Sequence, residues 1–183
     1  MRRRRVLIAG VSALLAGGLA VAGVTAATAD RLEADDVISA LAVAPTAADR
    51  LPATVPAGEW GRGGLVVESI RSLGSDGPRR FWAATDASGS ICVIVAVGDA
   101  GQTVGGACGD PAAVAKSGQG VGVSGIDGVT WVAYLLPDGV STTRLSSDWK
   151  RVGGNLVVAR GDAGAPLETL TAGRGDTIEL RRS

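Results

Sequence analysis

The sequence predicts a mainly β fold, an antiparallel sheet domain with one short helix, preceded by an N-terminal hydrophobic segment that is either a transmembrane or a signal helix. Short apolar runs alternate with Gly-centred turns through the second two thirds of the chain, the pattern of successive hairpins. Residues 80–108, RFWAATDASGSICVIVAVGDAGQTVGGAC, set two such turns in succession and hold both cysteines. Residues 6–29 carry no charge and follow four consecutive arginines at 2–5.

The paired turns define a register. If Asp99-Ala100-Gly101 is a three-residue loop with Gly101 at positive φ, facing positions sum to 200 and Cys92 lies opposite Cys108. Facing Cα atoms sit about 4.5 to 5.5 Å apart, within disulfide span, so the register itself proposes the bond. The preceding turn, Asp86-Ala87-Ser88-Gly89, makes facing positions sum to 176, setting Phe81 against Val95 and Trp82 against Ile94. One face then collects Phe81, Ala83, Ile91, Val93, Val95 and Val97, and the other Trp82, Ala84, Cys92, Ile94 and Ala96. Both faces are apolar, so ICVIVAV is expected as the central strand, covered on both sides.

The N-terminal segment is read as topology. Its arginines stay in the cytoplasm by the positive-inside rule, and the chain beyond goes out. As a signal peptide it ends at Ala27-Thr28-Ala29, just before Asp30; as an anchor it offers 24 uncharged residues against the roughly 20 that span a bilayer. Gly10, Gly17, Gly18 and Gly23 weaken the span and favour cleavage, while its length favours retention. A twin-arginine export signal is a third reading, although the arginines lack its usual flanking residues. The expected location is therefore the cell membrane, single-pass with the N-terminus in the cytoplasm and contact through residues 6–29, or the medium after cleavage near Ala29. Disulfides persist in either place, and a loop of this size contributes about 3 kcal/mol in the chain-entropy model.

Residues 30–62 read as a spacer. Asp30 and Glu33 form a capping box that opens a short helix to about Ala42, Pro45 closes it, and Pro52, Pro56, Gly58, Gly61, Gly63 and Gly64 punctuate the rest. The β domain is assigned to residues 63–183, with strands at 65–73, 79–86, 90–97 and 102–108. One helix follows, with Asp110 as N-cap, Pro111 at its first position and Gly118 just past its end. Strands resume at 119–124, 129–136, 140–146, 155–160, 167–171 and 176–181. Pro137-Asp138-Gly139 reads as a hairpin turn, and SSDWKRVGG (146–154) as the loop after a strand.

Composition excludes several functions. Without the arginines at 2–5, 14 basic residues face 18 acidic ones, a net charge of −4, and no Lys/Arg cluster suggests nucleic acid. The chain has no histidine, which removes Ser-His and Cys-His nucleophile pairs and the commonest zinc ligand. Two mutually bonded cysteines leave no structural zinc site either. No catalytic residue, cofactor-binding residue, metal ligand or cofactor is assigned.

Four strings resemble functional motifs. Gly120-Val-Gly122-Val-Ser-Gly125 matches GxGxxG, but a turn and a strand follow where a nucleotide site needs a helix. Ser147-Asp-Trp-Lys150 matches SxxK without the SDN-like and KTG-like partners of penicillin-recognising enzymes. The RGD strings at 160–162 and 174–176 fall where turns are expected. Asp86, Asp99, Asp110, Asp127 and Asp138 each sit in a turn or cap, without calcium-loop spacing.

ESIRSLG (68–74), RFWAATDASGSICVIV (80–95), VGGAC (104–108) and VAYLLPDGV (132–140) together resemble a group of small uncharacterised exported or membrane-anchored proteins of high-GC actinobacteria. The resemblance covers residues 65–160, and two cysteines followed by a LLPDGV-type motif are its most recognisable part. GNLVVARG departs from that pattern. The resemblance implies a compartment and a disulfide, not a reaction.

The expected function is a non-catalytic envelope binding or interaction module, its partner an envelope protein or wall component of unknown identity. The alternative is a cell-wall or extracellular hydrolase using Asp or Ser residues. An enzyme needs a cleft with perturbed titratable groups, whereas a binding module needs an exposed apolar or aromatic patch. Trp60 and Trp149, outside the clearest strands, are the aromatics to check for exposure, against the plain reading that both are core.

Overall fold

The computed structural model describes residues 32–98, 101–125, 127–162, 164–171 and 177–182. Strands β1 (Arg71–Asp76), β2 (Arg79–Thr85), β3 (Ile91–Val97) and β4 (Thr103–Gly109) form an antiparallel meander in that order. Its registers are those the turns dictate. Phe81 pairs with Val95, Trp82 with Ile94 and Cys92 with Cys108. Asp99 and Ala100 lie outside the described residues, while Gly101 has φ +67°, the left-handed backbone that glycine adopts without steric cost. Cys92 and Cys108 are disulfide-bonded, with Cα atoms 4.0 Å apart.

After β4 the chain turns through helix α2 (Pro111–Ser117). The Asp110 carboxylate accepts the Ala112 N–H at 2.9 Å, Pro111 takes the first turn, and Gly118 at φ +66° ends it. A second antiparallel sheet follows, made of β5 (Gln119–Ser124), β6 (Thr130–Leu135), β7 (Trp149–Val152) and β8 (Leu156–Arg160) in the order β5-β6-β8-β7. The two sheets share one core. Phe81, Ala83, Ile91, Val93 and Val95 from the first meet Val121, Val123, Ala133, Leu156 and Val158 from the second, with Val114 of α2 closing one end.

At one seam of this sandwich Asp76 of β1 forms ion pairs with Arg79 and with Lys150 of β7. Gly153 belongs to the same seam. A Cβ there would stand 2.1 Å from the Leu73 carbonyl oxygen, so only glycine lets β7 and β1 approach.

Both outer faces are covered, by different means. Over the first sheet run residues 43–66, an irregular arm that supplies Val55 and Leu65 to a second core with Ile70, Trp82, Ala84, Cys92, Ile94 and Ala96. Over the second sheet lies a hairpin of β9 (Glu168–Thr171) and β10 (Thr177–Leu180), which drives Leu170, Ile178 and Leu180 onto Val132, Leu136, Trp149, Val157 and Ala159. Thus β3 is buried on both faces, and the two apolar faces read from sequence belong to two separate cores.

Five expectations are corrected. The stretch 30–62 is not a detached spacer over its described part: Val37 and Ile38 are buried in the central core and Val55 in the second. Prolines and glycines hid this, because a cover needs isolated apolar plugs and no periodicity. The expected helix to Ala42 is helix α1 (Ala34–Val37), capped by Glu33 with Asp36, then a 3-10 turn Ser39–Ala42, the break falling where Ile38 turns into the core. Residues 140–146 form no strand. Val140 and Leu145, five apart, both pack on the third core, which period-two backbone cannot do, so the chain after Pro137-Asp138-Gly139 crosses the sheet face instead of pairing as a hairpin. It returns as β7 within 146–154, read from sequence as loop. Residues 65–73 likewise hold a 3-10 turn at Val67–Ser69, and β1 starts only at Arg71.

The N-terminal hydrophobic segment and the second RGD string lie outside the described residues. Among the described residues no helix is long and apolar enough to cross a membrane.

Candidate functional site

The arm over the first sheet is held by polar anchors. Thr46 starts a 3-10 turn, Ala47–Asp49, whose Asp49 carboxylate reaches back to accept the Thr46 N–H and hydroxyl and forward to accept the Ser72 N–H of β1 at 2.6 Å. Burial pushes the Asp49 carboxyl up, but the bonds from Ser72 and Thr46, helped by the Arg71 charge, outweigh it and hold it below the ordinary value. Arg71, itself buried, donates from Nε to the Val43 carbonyl at 2.6 Å and from Nη1 to the carbonyls of Glu68 and Ile70 at 2.6 and 2.8 Å. One guanidinium thereby fixes residue 43 beside the Val67–Ser69 turn.

Farther along, Asp86 takes the same role. Its buried carboxylate accepts the N–H groups of Arg62, Ser88 and Ser90 and the Ser88 hydroxyl at 2.7 to 2.9 Å. Burial raises its pKa, yet these bonds, the Arg62 N–H foremost, leave it lowered. Trp60 packs on the sheet at Gly106, where a Cβ would stand 2.2 Å from the indole ring. That close approach explains the small residues of VGGAC.

Between the arm and the Val67–Ser69 turn lies a groove of about 730 Å³, in the size range of ligand-binding clefts. Its walls are mostly apolar, with Leu51, Pro52, Val55, Val67 and Ile70 among them. Beside it stand three of the four large apolar residues exposed among those described: Val43 at 60%, Val66 at 38% and Val67 at 62%; the fourth is Leu167. Two charged side chains on its wall, Arg50 and Glu68, make no ion pair or side-chain hydrogen bond within the described residues, in contrast to Asp49 beside them. The groove offers apolar contact and two opposite charges without an ion pair among the described residues; the Thr46 hydroxyl on its wall donates to Asp49, a carboxylate already holding the Thr46 and Ser72 N–H groups as part of the arm's anchor.

Three further carboxylates and their partners are committed to the fold. Burial raises Glu168, but bonds from the Ser146 N–H and hydroxyl and from Trp149 Nε1 at 2.8 Å, with the Arg182 charge, hold it lowered. Asp76 is lowered by the Lys150 bond first, against its burial, with Arg79 adding. Arg79 in turn lies 3.4 Å above the Trp131 ring centroid. Asp86, Cys92 and Cys108 bring one oxygen and two sulfurs within 4.8 Å of one another, a metal-like grouping, but the sulfurs are bonded to each other and the carboxylate is occupied. Sequence reasoning missed the Asp76–Lys150 and Glu168–Trp149 contacts, which join residues 74 and 19 positions apart, and no local signal announces them.

The motif-like strings resolve as structure. Gly120 and Gly122 lie within β5 and no helix follows; a Cβ on Gly120 would press on the Tyr134 ring at 2.8 Å. Lys150 of the SxxK string is paired with Asp76. The first RGD string extends the end of β8, with Gly161 N–H on the Thr130 carbonyl and Asp162 N–H on that of Arg182, so it is strapped down and not displayed at a turn tip. Asp110 caps α2, Asp127 accepts the Val129 N–H, and Asp138 accepts the Ser39 N–H. Trp149 is buried and Trp60 half-buried, so neither supplies an exposed aromatic platform.

Comparison with protein-family models, with curated proteins and with solved structures finds no match for this chain.

Proposed function

We propose that the chain is a non-catalytic extracytoplasmic interaction module, exported by its N-terminal hydrophobic segment, with the groove beside Val43, Val66 and Val67 as its contact surface. The observation that carries this reading is the groove itself: about 730 Å³ of mostly apolar wall beside exposed valines, against a cleft of about 370 Å³ beside β9 on the other covered face. Contiguous exposed apolar surface is costly to keep in water and marks interaction sites. The hydrolase alternative asks for a carboxyl raised by its surroundings so that it can donate a proton; the shifted carboxylates described here are all lowered and tied to backbone or cations.

A turnover panel tests the non-catalytic half of the proposal. The protein recovered from the envelope or medium is expected to show no hydrolysis of ester, peptide, glycoside or phosphate substrates above a heat-denatured control. Turnover abolished by a single Asp or Ser substitution that leaves the thermal midpoint unchanged would establish the hydrolase instead.

A further inference from the structure

Resting on that reading, we infer that the partner for which the groove is built is a second copy of this chain, docked about a two-fold axis so that Arg50 of each copy meets Glu68 of the other. The inference starts from charge. From Leu32 onward 13 basic residues stand against 17 acidic ones, a net charge of −4, so two copies repel each other over most orientations. The groove wall can offset this locally, because Arg50 and Glu68, which make no ion pair among the described residues, put one charge of each sign on the same wall. Asp49, the other acid on that wall, is already spent on Thr46 and Ser72.

A two-fold contact is isologous: if residue i touches residue j, then j touches i. One cation and one anion on the same patch are the minimal set that satisfies this rule. An axis through the midpoint between Arg50 and Glu68 creates two ion pairs from a single arrangement, and no like charges meet. A partner of uniform charge would satisfy one of these residues and repel the other. The same arrangement buries the valines beside the groove of one copy against those of its mate, removing from water the largest group of exposed apolar side chains among the described residues.

The backbone is suited to docking without rearrangement. Arg71 holds Val43 and Glu68 through their carbonyls, and Asp49 holds the turn that carries Arg50. The patch is therefore presented on fixed main chain, and little ordering entropy remains to oppose association.

Charge reversal tests this directly. The full chain, purified from its native fraction, is compared by analytical ultracentrifugation with R50E, E68R, the double variant R50E/E68R and V67E, all at exposed positions. Thermal midpoints within a degree or two of the parent establish that each variant folds. A monomer–dimer equilibrium is expected, weakened about ten-fold by R50E or E68R alone, since each reversal sets two like pairs in the two-fold contact, and restored to within about three-fold in the double variant. V67E is expected to weaken it at least as much as either reversal. A chain that stays monomeric at 100 µM by this measurement, or a dimer indifferent to the single reversals, overturns the second-copy inference. In that event, loss of contacts to a different envelope protein in V67E would preserve the interaction-module reading, whereas V67E behaving as the parent in every association assay would remove both.

Discussion

The two outer faces of the sandwich are closed by opposite means, and the difference explains why one face carries the candidate site. The β9–β10 hairpin closes the second sheet with large apolar plugs, Leu170, Ile178 and Leu180, and its one buried indole N–H is satisfied by Glu168. The arm closes the first sheet with few plugs and many polar ties, through Arg71, Asp49 and Asp86. The indole N–H groups of Trp60 in the arm and of Trp82 beneath it find no acceptor among the described residues. A cover held by side-chain bonds to backbone can arch away from the sheet between its ties, leaving a groove of about 730 Å³; a cover held by apolar burial stays closer, because its stability lies in the contact itself, and the cleft beside β9 is about 370 Å³.

Substitutions sharpen that contrast. Ile178→Ala, at a fully buried position of the hairpin, is expected to lower stability by about 2 to 5 kcal/mol, measured from the urea midpoint. Val55→Ala, the corresponding plug of the arm, removes fewer atoms and borders the groove, so its loss should be smaller. A larger loss for Val55→Ala would mean that the arm is the more apolar lid after all.

Next in size is the disulfide, whose sulfurs belong to the core under the arm. Replacing both cysteines by serine is expected to cost about 3 kcal/mol by the chain-entropy argument, read as the difference in urea midpoint from the oxidised parent. Reducing agent should shift the parent by a similar amount and the variant not at all. Arg71→Met leaves three carbonyls without their donor, and about 1 to 3 kcal/mol is expected, concentrated in the arm. Hydrogen exchange should rise over residues 43–57 and stay unchanged in β9 and β10. A uniform rise would contradict a locally anchored cover.

The smallest effect is acid sensitivity. Asp49 in the arm, Asp86 beneath it and Glu168 in the hairpin have folded-state pKa values below those of the unfolded chain. Each therefore contributes stability that is fully present above the unfolded value, about 4, and is lost as pH falls through the lowered folded value. The arm depends on two such carboxylates and the hairpin on one. Hydrogen exchange between pH 5 and pH 3, corrected for intrinsic rates, should show the arm losing protection before the hairpin.

The sequence made the first sheet legible because its pairing is local. Two turns with glycine at the positive-φ position set every partner from Arg79 to Gly109, and one odd or even count then sorted the side chains into two cores. The helix at 111–117 was equally local, written by Asp110, Pro111 and Gly118. What escaped was whatever is held by distant partners. β7 is a short edge strand whose pairing with β8 reaches back from a turn at Gly153, and its Trp-Lys-Arg-Val carries no apolar alternation long enough to read. The burial of the described part of 30–62 was hidden because the Val37-Ile38 pair and Val55 are short apolar plugs among prolines, alanines and acids. The groove inherits that obscurity: its walls come from residues 45–57 and 67–70, neither of which is regular strand.

The most direct measurement compares the two covers at their exposed apolar residues, Val67 on the arm side at 62% exposure and Leu167 beside the hairpin at 45%. A photo-crosslinking amino acid is introduced at one position or the other in the full-length chain, and cells are irradiated before the envelope and medium fractions are resolved under denaturing conditions. The groove-bearing cover is the interaction face if position 67 yields a discrete adduct at twice the chain's mass and position 167 yields none. Equal adducts from both positions, or an adduct from position 167 alone, would contradict it.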